Sequence, residues 1–201
     1  MSRWYRFLYS IGITPWEEDA EAVAPQFESL VELEEKARES PYGRALDLGC
    51  GSGRWSVTLA QRGWKVTGVD VVPKAIQTAR KRAQAAEIDV EFVTGDVSDL
   101  RAAGVSSGFS FVLDVECFNH LNDSQRVAMG REVNAVTTED ATMLLLVWTR
   151  ARRGPLPPGA DPEDLEMAFP GWRIAGKYPY EAELPLPLRR VSPTWYRLAR
   201  V

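Results

Sequence analysis

At 201 residues, with 45% hydrophobic and 26% charged residues, the chain has the composition of a globular domain large enough to bury one core. Its net charge is −4, with the acidic excess in residues 1–140 and a small basic excess after them, which argues against a nucleic-acid partner. Two cysteines are too few for a disulfide scaffold or a zinc cage, and no metal site is expected. No apolar run approaches the ~18 residues that cross a bilayer, and the start of the chain has no signal-peptide apolar region, so no membrane partner and a cytoplasmic location are expected.

In chain order, residues 3–9 and 25–38 read as helices; in the second, Phe27, Leu30, Val31 and Leu33 make an apolar stripe, with Glu32, Glu34 and Glu35 on the wetter side. Trp4, Tyr5, Phe7, Tyr9 and Trp16 crowd the first 16 residues, as a lid or as packing for the lead-in helices. Pro41-Tyr42-Gly43 ends this lead-in. Then strands and helices alternate: strand 44–48, helix 54–62, strand 64–69, helix 73–86, strand 89–94, strand 109–114, helix 123–136 and strand 141–148. Between the third and fourth strands only a short helical piece fits. Alternation of this kind predicts a parallel sheet covered on both faces. The prolines at 155, 157, 158 and 162 predict a loop over 154–162, followed by a short helix at 164–169. Residues 172–183 and 194–200 read as two more strands. The loops at 154–162 and 185–193 read either as a substrate border or as plain surface connection, and Arg150, Arg152, Arg153, Arg189 and Arg190 either as contacts for a small anion or as solvated surface.

The most informative stretch is Ala45-Leu-Asp-Leu-Gly-Cys-Gly-Ser-Gly53. An apolar run ends in Asp47, and three glycines, Gly49, Gly51 and Gly53, follow at alternate positions before a helical pattern. A second apolar run delivers Asp70, a third is followed by Asp96 and Val97, and a fourth ends in Asp114. Parallel strands bring these acids to one edge of the sheet, where ligands bind in doubly wound folds. The glycines allow a sharp turn and close approach to a ligand. Asp70 can accept both hydroxyls of a ribose and disfavours a 2′-phosphate. A dinucleotide motif would need G-x-G-x-x-G, but the third glycine comes too early and position 56 is Ser56.

The pattern Asp-x-Gly-x-Gly-x-Gly resembles motif I of the class I S-adenosylmethionine-dependent methyltransferases, and the resemblance extends over about residues 43–150. It implies a Rossmann-like, doubly wound α/β fold with a seven-stranded sheet whose last strand is antiparallel. It also implies one methyltransferase domain over 1–201: an N-terminal helical lid at 1–42, a cofactor-binding core at 43–150, and C-terminal strands and substrate loops at 151–201. Residue by residue, Asp47, Gly49, Cys50, Gly51 and Gly53 would line the methionine and ribose. Asp70 would hold the ribose hydroxyls, Val71 would flank the adenine, and Asp96 would accept from its exocyclic amine while the Val97 amide donates to the ring. Asp114 would sit under the methionine amino group. The cofactor would be S-adenosylmethionine and the product S-adenosylhomocysteine. The stretch Thr14-Pro15-Trp16-Glu17 resembles the Pro-Trp region of the thiopurine, thiol and halide methyltransferases and of the tellurite-resistance group, which would place Trp16 near the methyl donor.

Methyl transfer from a sulfonium needs an aimed nucleophile and exclusion of water, and an alcohol, phenol or ammonium acceptor also needs a base. Just past the fourth strand stands His120, the one histidine of the chain, read as a base or as a substrate-orienting residue against a capping or packing role. Glu116 is the second candidate base, and Cys117 is read as a packed side chain. The expected acceptor is an O, S or N atom of a small molecule, on a monomer or homodimer. The alternatives are a non-catalytic sensor or accessory protein that binds S-adenosylmethionine and, more remotely, an NAD-dependent oxidoreductase.

Overall fold

A computed structural model describes residues 20–150, 159–181 and 193–201. The predicted helix at 3–9, the 1–19 part of the lid, Trp16, residues 185–192 of the 185–193 loop and most of the 154–162 loop therefore lie outside the described residues.

The described chain opens with helix α1 (Ala20–Lys36), which begins five residues earlier than its stripe predicts and carries Pro25 inside it. Alternation then runs as expected: β1 (Arg44–Leu48), α2 (Arg54–Gln61), β2 (Lys65–Asp70), α3 (Pro73–Ala85) and β3 (Glu91–Thr94). The link from β3 to β4 (Phe109–Val115) is a series of turns rather than a helix. A short 3₁₀ helix (Cys117–His120), α4 (Asp123–Val136), β5 (Thr137–Trp148), α5 (Pro162–Ala168), β6 (Trp172–Pro179) and β7 (Pro193–Arg200) complete the order. Strand β5 starts four residues before its apolar run, because its polar first rungs add pairing at Thr137 beyond an irregularity opposite Phe109 and Phe111. The sixth strand is shorter than 172–183 and ends at Pro179.

The seven strands form one sheet in the order β3-β2-β1-β4-β5-β7-β6. Strands β1 to β5 pair in parallel. β7 runs antiparallel to both β5 and β6. This is the expected Rossmann-like sheet with its last strand reversed. The order turns back at β1, whose two neighbours are β2 and β4, and a ligand cleft belongs at the carboxyl ends beside such a point.

Each face of the sheet has its own core. On one, Val23, Phe27, Leu30 and Val31 of α1 pack with Ala45, Phe111, Leu144 and Trp195. On the other, Phe118, Met129, Val133, Leu165 and Phe169 pack against Leu48, Val112 and Leu145. Helix α1 is also fastened by charge. Glu34, with no exposed surface, accepts from Arg38 Nη1 (2.7 Å), from Thr142 Oγ1 (2.8 Å) and from Arg197. Among the described residues no helix is long and apolar enough to cross a membrane.

Candidate active site

The turn after β1 is tied to β2 by its own backbone, since Gly49 N and Cys50 N both donate to Val69 O, at 2.8 and 3.0 Å. Gly49 sits at φ +71°, and a Cβ there would lie 2.6 Å from Cys117 Cβ. Only glycine lets this turn rest against the segment that carries His120. Gly51 N donates to Asp70 Oδ2 at 3.0 Å, and Val72 N donates to Asp70 Oδ1 at 2.8 Å. The Asp70 carboxylate is thus aimed by the glycine turn and by the start of α3. Gly53 faces elsewhere: a Cβ on it would meet Ala79 Cβ at 2.7 Å and Phe92 Cζ at 2.8 Å, so it brings α2 close to α3. Gly49, Asp70, Val71, Asp96 and Val97 line one cleft, together with Gly95 and Leu121, which the sequence reading did not single out. Asp96 Oδ1 accepts from Ser98 N (2.9 Å) and Ser98 Oγ (2.6 Å), an Asx turn that fixes the carboxyl at the cleft.

Asp47 and Asp114 lie deeper, on neighbouring strands. Leu48 pairs with Asp114 and Asp47 with Leu113, so Asp47 and Asp114 sit one rung apart at the switch point, on opposite faces of the sheet. Asp47 is 1% exposed and accepts from Ser56 Oγ at 2.5 Å. Asp114 is fully buried and accepts from Phe118 N at 3.1–3.2 Å. Burial pushes the Asp47 carboxyl up to about 7, with Asp70 adding to the rise against the Ser56 hydrogen bond. Burial likewise pushes Asp114 up to about 8, with the negative charge of Asp47 adding. Burial raises Asp70 as well, against its two amide hydrogen bonds. Among the described residues no ion pair reaches any of these three carboxyls. Three buried acids outside any ion pair make a site suited to a cation or a set of hydrogen-bond donors.

Ser56 explains the early third glycine. Its hydroxyl orients Asp47, and the close helix–strand approach is made from the strand side, where a Cβ on Gly68 would lie 2.9 Å from Ser56 Oγ. The dinucleotide pattern, with a glycine at position 56, would leave Asp47 without this hydrogen bond.

Beyond β4 the chain turns through Glu116, which holds φ +72° although it is not glycine, and its Oε1 accepts from Trp148 Nε1 at 2.7 Å. His120 ends the 3₁₀ helix and is half-buried beside Leu121 of the cleft. Cys117 and Cys50 are both buried, and burial raises each thiol well above its ordinary value, which suits packed side chains rather than nucleophiles. Arg150 does not wait for an anion: its Nη2 donates to both oxygens of Asp164 at 2.5 Å. Asn119 and Arg126, two buried polar side chains behind the His120 turn, were not singled out from the sequence. Among the described residues no group of three or more His, Cys, Asp or Glu could hold a metal ion.

Residues 45–140 match the family described as a methyltransferase domain. The 2-heptyl-1-hydroxyquinolin-4(1H)-one methyltransferase of Mycobacteroides abscessus is 29% identical over 138 residues, 66% of this chain and 60% of that protein. The ubiquinone biosynthesis O-methyltransferase of Xanthomonas campestris pv. campestris is 34% identical over 110 residues, 55% of this chain and 45% of that protein. The chain thus spans less than two thirds of the length of either relative. In fold, it is similar to the magnesium protoporphyrin IX methyltransferase of Synechocystis PCC 6803, solved with bound S-adenosylmethionine, at a TM-score of 0.61 and 20% identity over 79% of this chain and 70% of that one. Glycine turn, acid-tipped strands and sheet order agree with the family match, and residues 45–140 are similar to a methyltransferase domain in sequence and in fold.

Proposed function

We propose that the protein transfers a methyl group from S-adenosylmethionine to an O, S or N atom of a small molecule. The observation that carries this reading is the trio of buried carboxyls, Asp47, Asp70 and Asp114, gathered at one sheet edge and raised by burial, with no ion pair to any of them among the described residues. S-adenosylmethionine fits that arrangement because it brings an ammonium, a sulfonium and a ribose diol. When bound it supplies an electrophilic methyl on a good leaving group.

The chain's own residues then divide the work. Asp70 holds the ribose hydroxyls, with its oxygens already aimed by Gly51 N and Val72 N. Val71 and Val97 flank the adenine, Asp96 accepts from its amine, and the Val97 amide donates to its ring. Asp114 takes the ammonium, and Asp47, steadied by Ser56, adds negative charge beside it. Gly49 and Gly51 keep the turn thin enough for the ligand to lie against backbone. His120, at the end of the turn after β4, takes the proton from the acceptor or orients it. Glu116 is the second candidate base, and its hydrogen bond from Trp148 fixes where its carboxylate can reach. The names of two relatives, a hydroxyquinolinone methyltransferase and an O-methyltransferase of ubiquinone biosynthesis, favour a hydroxyl on an apolar ring among the possible acceptors.

The test is release of S-adenosylhomocysteine against a panel of phenols, hydroxyquinolinones, thiols, amines and carboxylic acids, with wild type and His120→Ala in parallel. Turnover with one acceptor class is expected, and His120→Ala is expected to lower it by ~10²–10⁴-fold while leaving cofactor affinity intact. Equal turnover in the two proteins removes the base role from His120. Cofactor binding without turnover on any acceptor would favour a sensor or accessory role.

A further inference from the structure

The turn that carries His120 is gripped from three sides by buried side chains. Strands β4 and β5 pair up to Val115 opposite Leu146, where β4 ends and the chain turns away at Glu116. The next β5 groups, Leu146 O and Trp148 N, would be left without strand partners. Asn119 takes both: its Nδ2 donates to Leu146 O at 3.5 Å, and its Oδ1 accepts from Trp148 N at 3.1 Å. These are the two bonds that a strand residue opposite Val147 would make, so one side-chain amide extends the ladder by a rung after the backbone has left it. Asn119 is 1% exposed and is joined by one peptide bond to His120.

Arg126 grips the same turn from α4. It is 3% exposed, in the core of that face. Its Nε donates to Phe118 O at 3.4 Å, its guanidinium lies 4.7 Å from the Phe118 ring centre, and its Nη2 donates to Gly159 O at 2.8 Å. Nη1 is 3.6 Å from Asp164 and 3.9 Å from Asp123. From the β4 side, Asp114 accepts from Phe118 N. Beyond His120, the capping box of Asn122 and Gln125 fixes the start of α4. A buried arginine is costly to keep, and a hydrophobic side chain would fill this space more simply. What arginine adds is a fork that ties Phe118 to Gly159 and Asp164.

We infer that Asn119 and Arg126 are positioning residues that hold the Cys117–His120 turn against β5 and the 159–164 segment, so that the His120 imidazole keeps one orientation toward the acceptor. The inference rests on the methyl-transfer reading of His120, but its test does not need the acceptor. As the one histidine of the chain, His120 gives a single imidazole signal by nuclear magnetic resonance once any affinity tag is removed. The experiment follows that signal through a pH titration, with S-adenosylhomocysteine bound, in wild type, Asn119→Leu and Arg126→Lys. Glu132→Gln serves as a control that loses a partner of Arg101 away from the turn. The expected result is one sharp titrating signal in wild type and in the control. In Asn119→Leu and Arg126→Lys it splits or broadens and its midpoint moves, while affinity for S-adenosylhomocysteine is unchanged. Arg126→Lys keeps the charge without the fork and stands in if Asn119→Leu fails to fold. A sharp signal with the wild-type midpoint in every folded variant overturns the inference. Failure of wild type to bind S-adenosylhomocysteine would instead contradict the methyl-transfer reading, and the signal comparison, made without ligand, would still decide whether the turn is clamped.

Discussion

Two regions of this molecule bury carboxyl groups and treat them in opposite ways. Toward the amino ends of β4 and β5, Glu34 is enclosed between Arg38 and Arg197 with Thr142 as a third donor. Burial works to raise its carboxyl, and the hydrogen bonds from Arg197, Thr142 and Arg38 overcome it, leaving Glu34 below its ordinary value. At the carboxyl ends, Asp47, Asp70 and Asp114 are also buried, form no ion pair among the described residues, and are raised. Charge that fastens α1 to the sheet is neutralised within the fold. Charge at the cleft is left for a ligand to neutralise.

Breaking the first region should cost the most. Glu34→Ala leaves Arg38 and Arg197 facing each other in a buried site, and an expected loss of about 3–5 kcal/mol in urea unfolding follows from removing one member of a buried ionic network. Stability from Glu34 is present above the ordinary carboxylate pKa and is lost as pH falls below it. A change under about 1 kcal/mol would show that the network contributes little.

At the cleft, Asp70→Ala removes the acceptor of two ribose hydroxyls and of the Gly51 and Val72 amides. Calorimetry should find S-adenosylhomocysteine bound about 30-fold or more weakly, with the fold intact by circular dichroism. Unchanged affinity would contradict the placement of the ribose.

The smallest effect sharpens the contrast most. A carboxyl raised by burial contributes stability that is present below about pH 4 and is lost as pH rises through its folded value, about 7 for Asp47 and about 8 for Asp114. The unliganded protein should therefore lose thermal stability between pH 5 and pH 8. Asp114→Asn, which can still accept from Phe118 N, should flatten that fall by a few °C at pH 8. The same slope in both proteins would mean that Asp114 is not held in its neutral form.

The cleft was more readable from sequence than the braces around it. Strands tipped with acids and a turn built on glycines are local patterns, and the two-residue and 3.6-residue periods separate strand from helix without tertiary information. Asp47, Asp70, Asp96 and Asp114 could thus be placed at one edge before any coordinates. Glu34 reads as part of the wetter side of its helix and Leu33 as part of the apolar stripe, but Glu34 is fully buried and Leu33 is exposed, because only the docking of α1 decides which glutamate meets Arg197. Asn119 was hidden for a related reason: completing a β-ladder with a side chain requires knowing where β4 stops and β5 continues. The start of α1 was misplaced because Pro25 reads as a helix beginning, whereas tertiary packing carries it within the helix.

The most direct test of the central claim is a calorimetric titration with S-adenosylhomocysteine, and separately with NAD, at pH 6 and pH 8 in buffers of different ionisation enthalpy. The account predicts that S-adenosylhomocysteine binds, that it binds more tightly at pH 8, and that protons are released on binding at pH 6, because the incoming ammonium favours the ionised forms of Asp47 and Asp114. Binding of NAD in its place, or S-adenosylhomocysteine binding that is independent of pH and releases no protons, would contradict it.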